Sequence, residues 1–103
     1  MTNRLKSNPI YFDGFNADAT LSETNLCVKK IRVLSAGDGD IFKLEDNDGN
    51  VVFDIVNTGA ADTVECDFGD EGFIFSNGVL IDVSDCTGMD TTDGSDAVWV
   101  YLK

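Results

Sequence analysis

Hydrophobic and polar positions in this chain alternate with a period near two, in short runs broken by Gly, Asn and Asp. Side chains along a strand point to opposite faces in turn, so this period predicts half-buried β-strands rather than helices. Residues 31–56, IRVLSAGDGDIFKLEDNDGNVVFDIV, form the stretch around which the rest is arranged. They read as three consecutive antiparallel strands joined by two tight turns. Asp48-Gly49 is a type I′ signal, because both central residues of that turn need positive φ. A two-residue loop there sets Phe42 opposite Ile55, Lys43 opposite Asp54 and Leu44 opposite Phe53. A four-residue loop, Asp46 to Gly49, would shift the partners but keep Phe42, Leu44, Phe53 and Ile55 on one face. A meander of this length needs further strands to cover it.

The flanking sequence supplies them. Pro9 precedes Ile10-Tyr11-Phe12, which suits an edge, where a missing N–H costs no ladder bond. Thr20-Leu21-Ser22 is a second brief edge candidate. The longest predicted strand, residues 26–35, sets Cys27, Ile31 and Val33 on one face and Lys30 and Arg32 on the other. Lys29 interrupts the apolar face, which reads as a bulge or a strand end at one of the two lysines. Residues 63–68 alternate with Val64, Cys66 and Phe68 inward. Asn77-Gly78 is the strongest hairpin dipeptide in the chain, and it predicts Phe75 opposite Leu80 and Ile74 opposite Ile81. Residues 84–96 form a polar, acidic surface loop, and residues 97–102 (AVWVYL) a last strand. The expectation is an all-β, antiparallel β-sandwich, jelly-roll or Ig-like, of seven to nine short strands. Residues 1–8 read as a flexible N-terminal arm and 9–103 as one sandwich domain.

Several predicted strands carry more apolar surface than one buried face requires. Ile41, Val52 and Val56 fall on the face opposite the Phe42/Phe53 core. Trp99 and Tyr101 alternate with Val98, Val100 and Leu102, so the two sets look in opposite directions. Either short strands and loops cover this surplus, or another subunit does, since large exposed apolar patches are uncommon on monomers. Trp and Tyr are types enriched in interface cores, which points to assembly.

Length and composition narrow the classes. A chain of 103 residues with 43% hydrophobic content buries about 60 to 65% of its unfolded surface in one core. The 19 Asp and Glu stand against 7 Lys and Arg, and none of those basic residues lies between Leu44 and Leu102. An acidic shell repels phosphate, which excludes nucleic acid and disfavours anionic membranes. No apolar leader follows Met1, and no run approaches the ~20 apolar residues of a membrane span. Cys27, Cys66 and Cys86 are widely spaced. We therefore expect a chain made and kept in a reducing cytosol, its cysteines free and acting as small apolar side chains.

Candidate chemistry is sparse. The chain has no His, so the usual general base and the commonest zinc ligand are missing. There is no Cys-x-x-Cys, nucleophile elbow or phosphate loop. The expectation is no enzyme and no cofactor. Asp46, Asp48 and Asn50 are weak calcium candidates, because they cluster the hard oxygen donors that calcium takes. They do not complete an EF-hand loop, and Asp and Gly clusters also make turns by themselves.

A resemblance adds a role. Lys30-Ile31-Arg32-Val33-Leu34-Ser35-Ala36-Gly37, then Phe42-Lys43-Leu44, then Gly72-Phe73-Ile74-Phe75-Ser76-Asn77-Gly78-Val79-Leu80, and a terminal Val-rich strand resemble small all-β virion structural proteins of tailed bacteriophages. The resemblance implies a capsid decoration (cement) protein that binds the head as a homo-oligomer, dimer or trimer. Its partners would be the major capsid protein or other virion proteins, and its location the virion. Its interface would be Ile41, Val52, Val56, Trp99 and Tyr101, with Arg4 and Lys6 ordering on the capsid. Two alternatives stay open. One is a tail or head-to-tail connector protein. The other is a carbohydrate- or calcium-binding β module, for which Trp99, Tyr101 and the Asp-rich turns would be the platform.

Overall fold

The alternating runs become nine antiparallel strands among the residues described by a computed structural model, which are 3–15, 17–35, 37, 39–57, 62–86, 88, 89 and 96–103. In chain order they are β1 (Ile10–Phe12), β2 (Ala19–Ser22), β3 (Leu26–Ser35), β4 (Ile41–Glu45), β5 (Val51–Val56), β6 (Asp62–Asp67), β7 (Phe73–Phe75), β8 (Val79–Ile81) and β9 (Ala97–Leu102). One sheet has the order β1-β9-β3-β6, with β7 also paired to β3. The other has the order β2-β8-β4-β5. The two face each other as a β-sandwich, the expected class. Much of the expected acidic loop (87 and 90–95) and residues 58–61 lie outside the described residues.

The core lies between the sheets. Ile31, Val33, Val98 and Val100 come from the first sheet, and Phe42, Leu44, Val79 and Ile81 from the second. Phe15, on the loop after β1, bridges them. Its ring meets Phe12 edge-on at 4.8 Å and Phe42 at 6.3 Å, the T-shaped geometry that aromatic quadrupoles favour.

The β4–β5 register is the one expected, with Phe42↔Ile55, Lys43↔Asp54 and Leu44↔Phe53. The loop is longer than two residues, because Asp46 N–H donates to the Asn50 carbonyl. A bulge then pairs Glu45 with Val51 and leaves Val52 extra, which restores the register beyond it.

Three expectations need correction. First, residues 31–56 are not a meander in one sheet, since β3 belongs to the first sheet and β4–β5 to the second. The chain changes sheets at a polar corner. Buried Ser35 donates its Oγ proton to Asp40 Oδ2, and the buried Asn57 Nδ2 donates to the carbonyls of Ser35 and Gly37 at 3.1 and 3.0 Å. Those bonds satisfy backbone groups that a hairpin ladder would otherwise pair.

Second, the bulge expected at one of the two lysines falls at Lys29, between Val28 and Lys30 in the pairing with β9, and it overturns the face expected for Cys27. The extra residue moves Val28 to the buried side beside Ile31 and Val33, the place expected for Cys27.

Third, Asn77-Gly78 does not close a hairpin. β7 pairs with β3 through Leu26↔Phe75 and Cys27↔Ile74, whereas β8 pairs with β2 and β4. Gly78 has φ +78°, and its N–H donates to the Thr24 carbonyl. The dipeptide turns the chain from one sheet to the other, because both neighbouring runs are apolar and each finds a different sheet to cover.

Residues 3–8, expected as a flexible arm, run back along β1. Arg4 and Tyr11 exchange backbone bonds at 2.7 and 2.9 Å, and Asn3 Oδ1 accepts from the N–H groups of Asp13 and Gly14. The Asn8 side chain both donates to and accepts from the Leu102 backbone. All three cysteines are free. No helix among the described residues is long and apolar enough to cross a membrane.

Candidate functional site

Alternation along β9 sends Val98 and Val100 into the core and turns Trp99 and Tyr101 to the outer face of the first sheet. The bulge at Lys29 does the same for Lys30 and Arg32 on β3. Cross-strand register then aligns these residues in rows. One row runs Tyr11, Trp99, Arg32, Glu65 across β1, β9, β3 and β6. The next runs Tyr101, Lys30, Asp67. Strands lie about 4.8 Å apart, so the longer row spans roughly 14 Å.

Each ring on this face carries a cation. The Arg32 guanidinium sits 5.0 Å from the Trp99 ring centre, Arg4 sits 4.6 Å from Tyr11, and the Lys30 ammonium 4.8 Å from Tyr101. A cation over a ring face is attracted by its quadrupole, worth about 0.5–1 kcal/mol at an exposed site. Tyr11 and Trp99 also touch, centres 5.4 Å apart. The Tyr11 hydroxyl donates to Asp13 Oδ2 at 3.0 Å. Partial burial, then the Asp13 carboxylate, push that phenol above its usual pKa. Lys30 bridges to Glu65 at 3.2 Å. Beside Tyr101 the surface dips into a depression of about 200 Å³ lined by Lys29, Lys30, Asp67 and Tyr101. The result is a half-exposed aromatic floor fixed by cations and edged by carboxylates.

Of the residues singled out in the sequence, Trp99, Tyr101 and Arg4 come together here. Lys6 is exposed on the arm outside this set of contacts. Ile41 and Val56 pair on the outer face of the second sheet, where Val56 is 45% and Val52 40% exposed. Neither Tyr11 and Arg32 as partners of Trp99 nor Lys30 as the partner of Tyr101 follows from the sequence pattern. The alternation of Lys30 and Arg32 was visible, but the neighbour of β3 in the sheet was not.

The calcium candidates are engaged in their own turn. Asp46 Oδ1 accepts from the N–H groups of Asp48 and Asn50 at 2.9 Å each, and Asp48 Oδ2 accepts from Asn77 Nδ2 at 3.0 Å. The bonds from Asn50 and Asp48 hold the Asp46 pKa low. Another acidic set, missed in the sequence, lies at the β4 end. Glu45, Asp82 and Asp85 bring carboxylate oxygens within 4.8 Å of one another, the type of hard donor that a calcium ion takes. The Glu45 carboxyl is pushed up to about 7, first by the hydrogen bond it shares with Asp85, then by desolvation and the neighbouring charges. Ser84 donates to Asp82 through both its hydroxyl and its N–H, which holds the Asp82 pKa low.

No protein family and no curated protein matches this chain. Among solved structures it is similar to the Streptococcus pneumoniae fucose binding module SpX-3, with 13% identity over 95% of this chain and 69% of that one and a TM-score of 0.48. A second S. pneumoniae fucose binding module has 16% identity, covering 91% and 70%, with a TM-score of 0.45. What the chain shares with them is a loose likeness of shape, and no ligand follows from it.

Proposed function

We propose that this chain is a non-catalytic binding module whose outer first-sheet face takes a neutral carbohydrate. The observation that carries this reading is the row Tyr11–Trp99–Arg32, with Tyr101 beside it, left half-exposed and fixed by cations. Sugar rings present C–H faces that pack on aromatic rings, while Arg32, Lys30, Glu65 and Asp67 supply donors and acceptors for hydroxyl groups. On this face Lys30 and Arg32 stand opposite Asp67 and Glu65, a balance of charge that suits a neutral ligand. The absence of His is consistent with binding rather than turnover.

Trp99 is the only tryptophan, so its fluorescence reports directly on the face. Titration with a panel of neutral oligosaccharides should shift or quench it, and by isothermal titration calorimetry Trp99→Ala should weaken binding at least about tenfold, because stacked aromatic contacts dominate such sites. Unchanged emission across the panel, with and without calcium, would remove the sugar reading.

A role as a virion decoration protein is the second reading, favoured by the exposed Val52 and Val56 on the outer face of the second sheet. Solution mass by light scattering tests it. A stable dimer or trimer supports assembly, and a monomer that ignores capsid shells counts against it.

A further inference from the structure

The sandwich is left open on one side, and an apolar cleft lies there that the sugar reading does not use and the decoration reading meets only at Val52. Among the described residues β5 has β4 as its one strand partner, and β7 has β3. An edge strand directs every second N–H and C=O outward, which makes it a template for another strand. Between these edges is a cleft of about 290 Å³, lined by Val52, Phe73, Ile74, Phe75, Asn77 and Asp46 among others. Phe73 is 49% and Ile74 60% exposed. Behind them Phe68 meets Phe73 at 5.6 Å and Phe53 at 6.1 Å, so the floor is packed rather than collapsible.

Charge identifies the occupant. Of the 19 acidic residues, 14 fall between Leu44 and Leu102, where no Lys or Arg occurs. Asp46 lines the cleft, and Asp54, Asp70 and Glu71 stand exposed on β5 and just before β7. A second copy would bring the same carboxylates against these, and like charges facing across an interface are repulsive. We propose that this cleft receives an extended segment of a partner protein that alternates apolar and basic residues, laid as an added strand between the free edges of β5 and β7. Main-chain bonds supply affinity, the Phe floor takes the apolar side chains, and the rim carboxylates select Lys or Arg. This needs neither a sugar nor self-assembly, so it stands or falls apart from both readings above.

The test uses the full chain and two short labelled peptides, one alternating Val and Lys, the other Val and Glu, followed by fluorescence anisotropy. The Val/Lys peptide should bind, more weakly as salt rises, and the Val/Glu peptide should not. Ile74→Ser removes apolar contact at an exposed position and should weaken binding about tenfold or more, with an unchanged melting temperature. Ile74→Lys should abolish it. No binding of the Val/Lys peptide, equal binding of both peptides, or full binding by Ile74→Lys would overturn the proposal. So would light scattering that shows a dimer which Ile74→Lys dissolves, because the occupant would then be a second copy.

Discussion

At Glu45 a carboxyl group stays neutral well into the pH range where the unfolded chain ionises it. Its folded pKa of about 7 lies above the ordinary value of 4.5, so between these values the folded chain binds more protons than the unfolded one. Stability contributed here is present below about pH 4.5 and is lost as pH rises toward 7. Glu45→Gln keeps a neutral hydrogen-bonding group. It should therefore melt higher than wild type at pH 8 and alike at pH 4, and thermal melts across that range check it. Cys86 gives a second residue-scale outcome. Its Sγ lies in the interior, donating toward the carbonyls of Lys43 and Asp82, and burial pushes the thiol up to about 11. The thiolate is the reactive form, so Cys86 should resist alkylation at pH 8 until the chain is unfolded, as peptide mapping by mass spectrometry would read. The free, core-like cysteine was legible from spacing and composition. The meeting of Glu45 with Asp82 and Asp85 was not, because nothing in a one-dimensional pattern pairs carboxylates some forty positions apart.

Elements were legible where local chemistry alone decides them. The limits of β1, β3 and β9 follow from Pro9, from alternation and from turn residues, and the pairing of β4 with β5 follows from Phe42, Leu44, Phe53 and Ile55 facing one way, with the bulge at Val52 setting the register that the turn dipeptide alone does not. Sheet membership was hidden, since a run apolar on both faces, such as residues 73–75, fits either layer. Gly78 shows what the difference demands. A Cβ at Gly78 would collide with the Asn47 side-chain amide in a backbone of φ +78°, whereas at Gly49, of φ +81°, it would meet only Glu45 Oε1 at 4.0 Å. Both Ala variants carry the left-handed cost of about 1–2 kcal/mol. Gly78→Ala must in addition displace Asn47, whose N–H donates to the Asn77 carbonyl and whose side chain donates to the Glu23 carbonyl. Gly78→Ala should then lower the melting temperature by at least about 4 °C more than Gly49→Ala does, as calorimetry of the two variants would show.

Over the whole molecule, the acidic character and β-sandwich class were readable from composition and turn spacing. The aromatic face was only half readable, because alternation sets Trp99 and Tyr101 together and apart from Val98 and Val100, while the cationic partners on this face come from β3 and from the arm. The pairing that builds this face also dictates when it can exist. Ile10↔Val100 and Tyr11↔Trp99 join positions about ninety residues apart, and β1 has β9 as its one strand partner among the described residues. Closing so long a loop is entropically costly, and chains dominated by such contacts fold in milliseconds to seconds. Within the second sheet the local β4–β5 hairpin carries no such delay, while β2 and β8 join positions about sixty residues apart. In stopped-flow refolding, Trp99 emission should reach its native value in the slowest phase, after most strand signal has appeared by circular dichroism. A chain interrupted before residue 97 would lack the strand that joins β1 to β3, so the Tyr11–Trp99–Arg32 row is the last feature the folding molecule assembles.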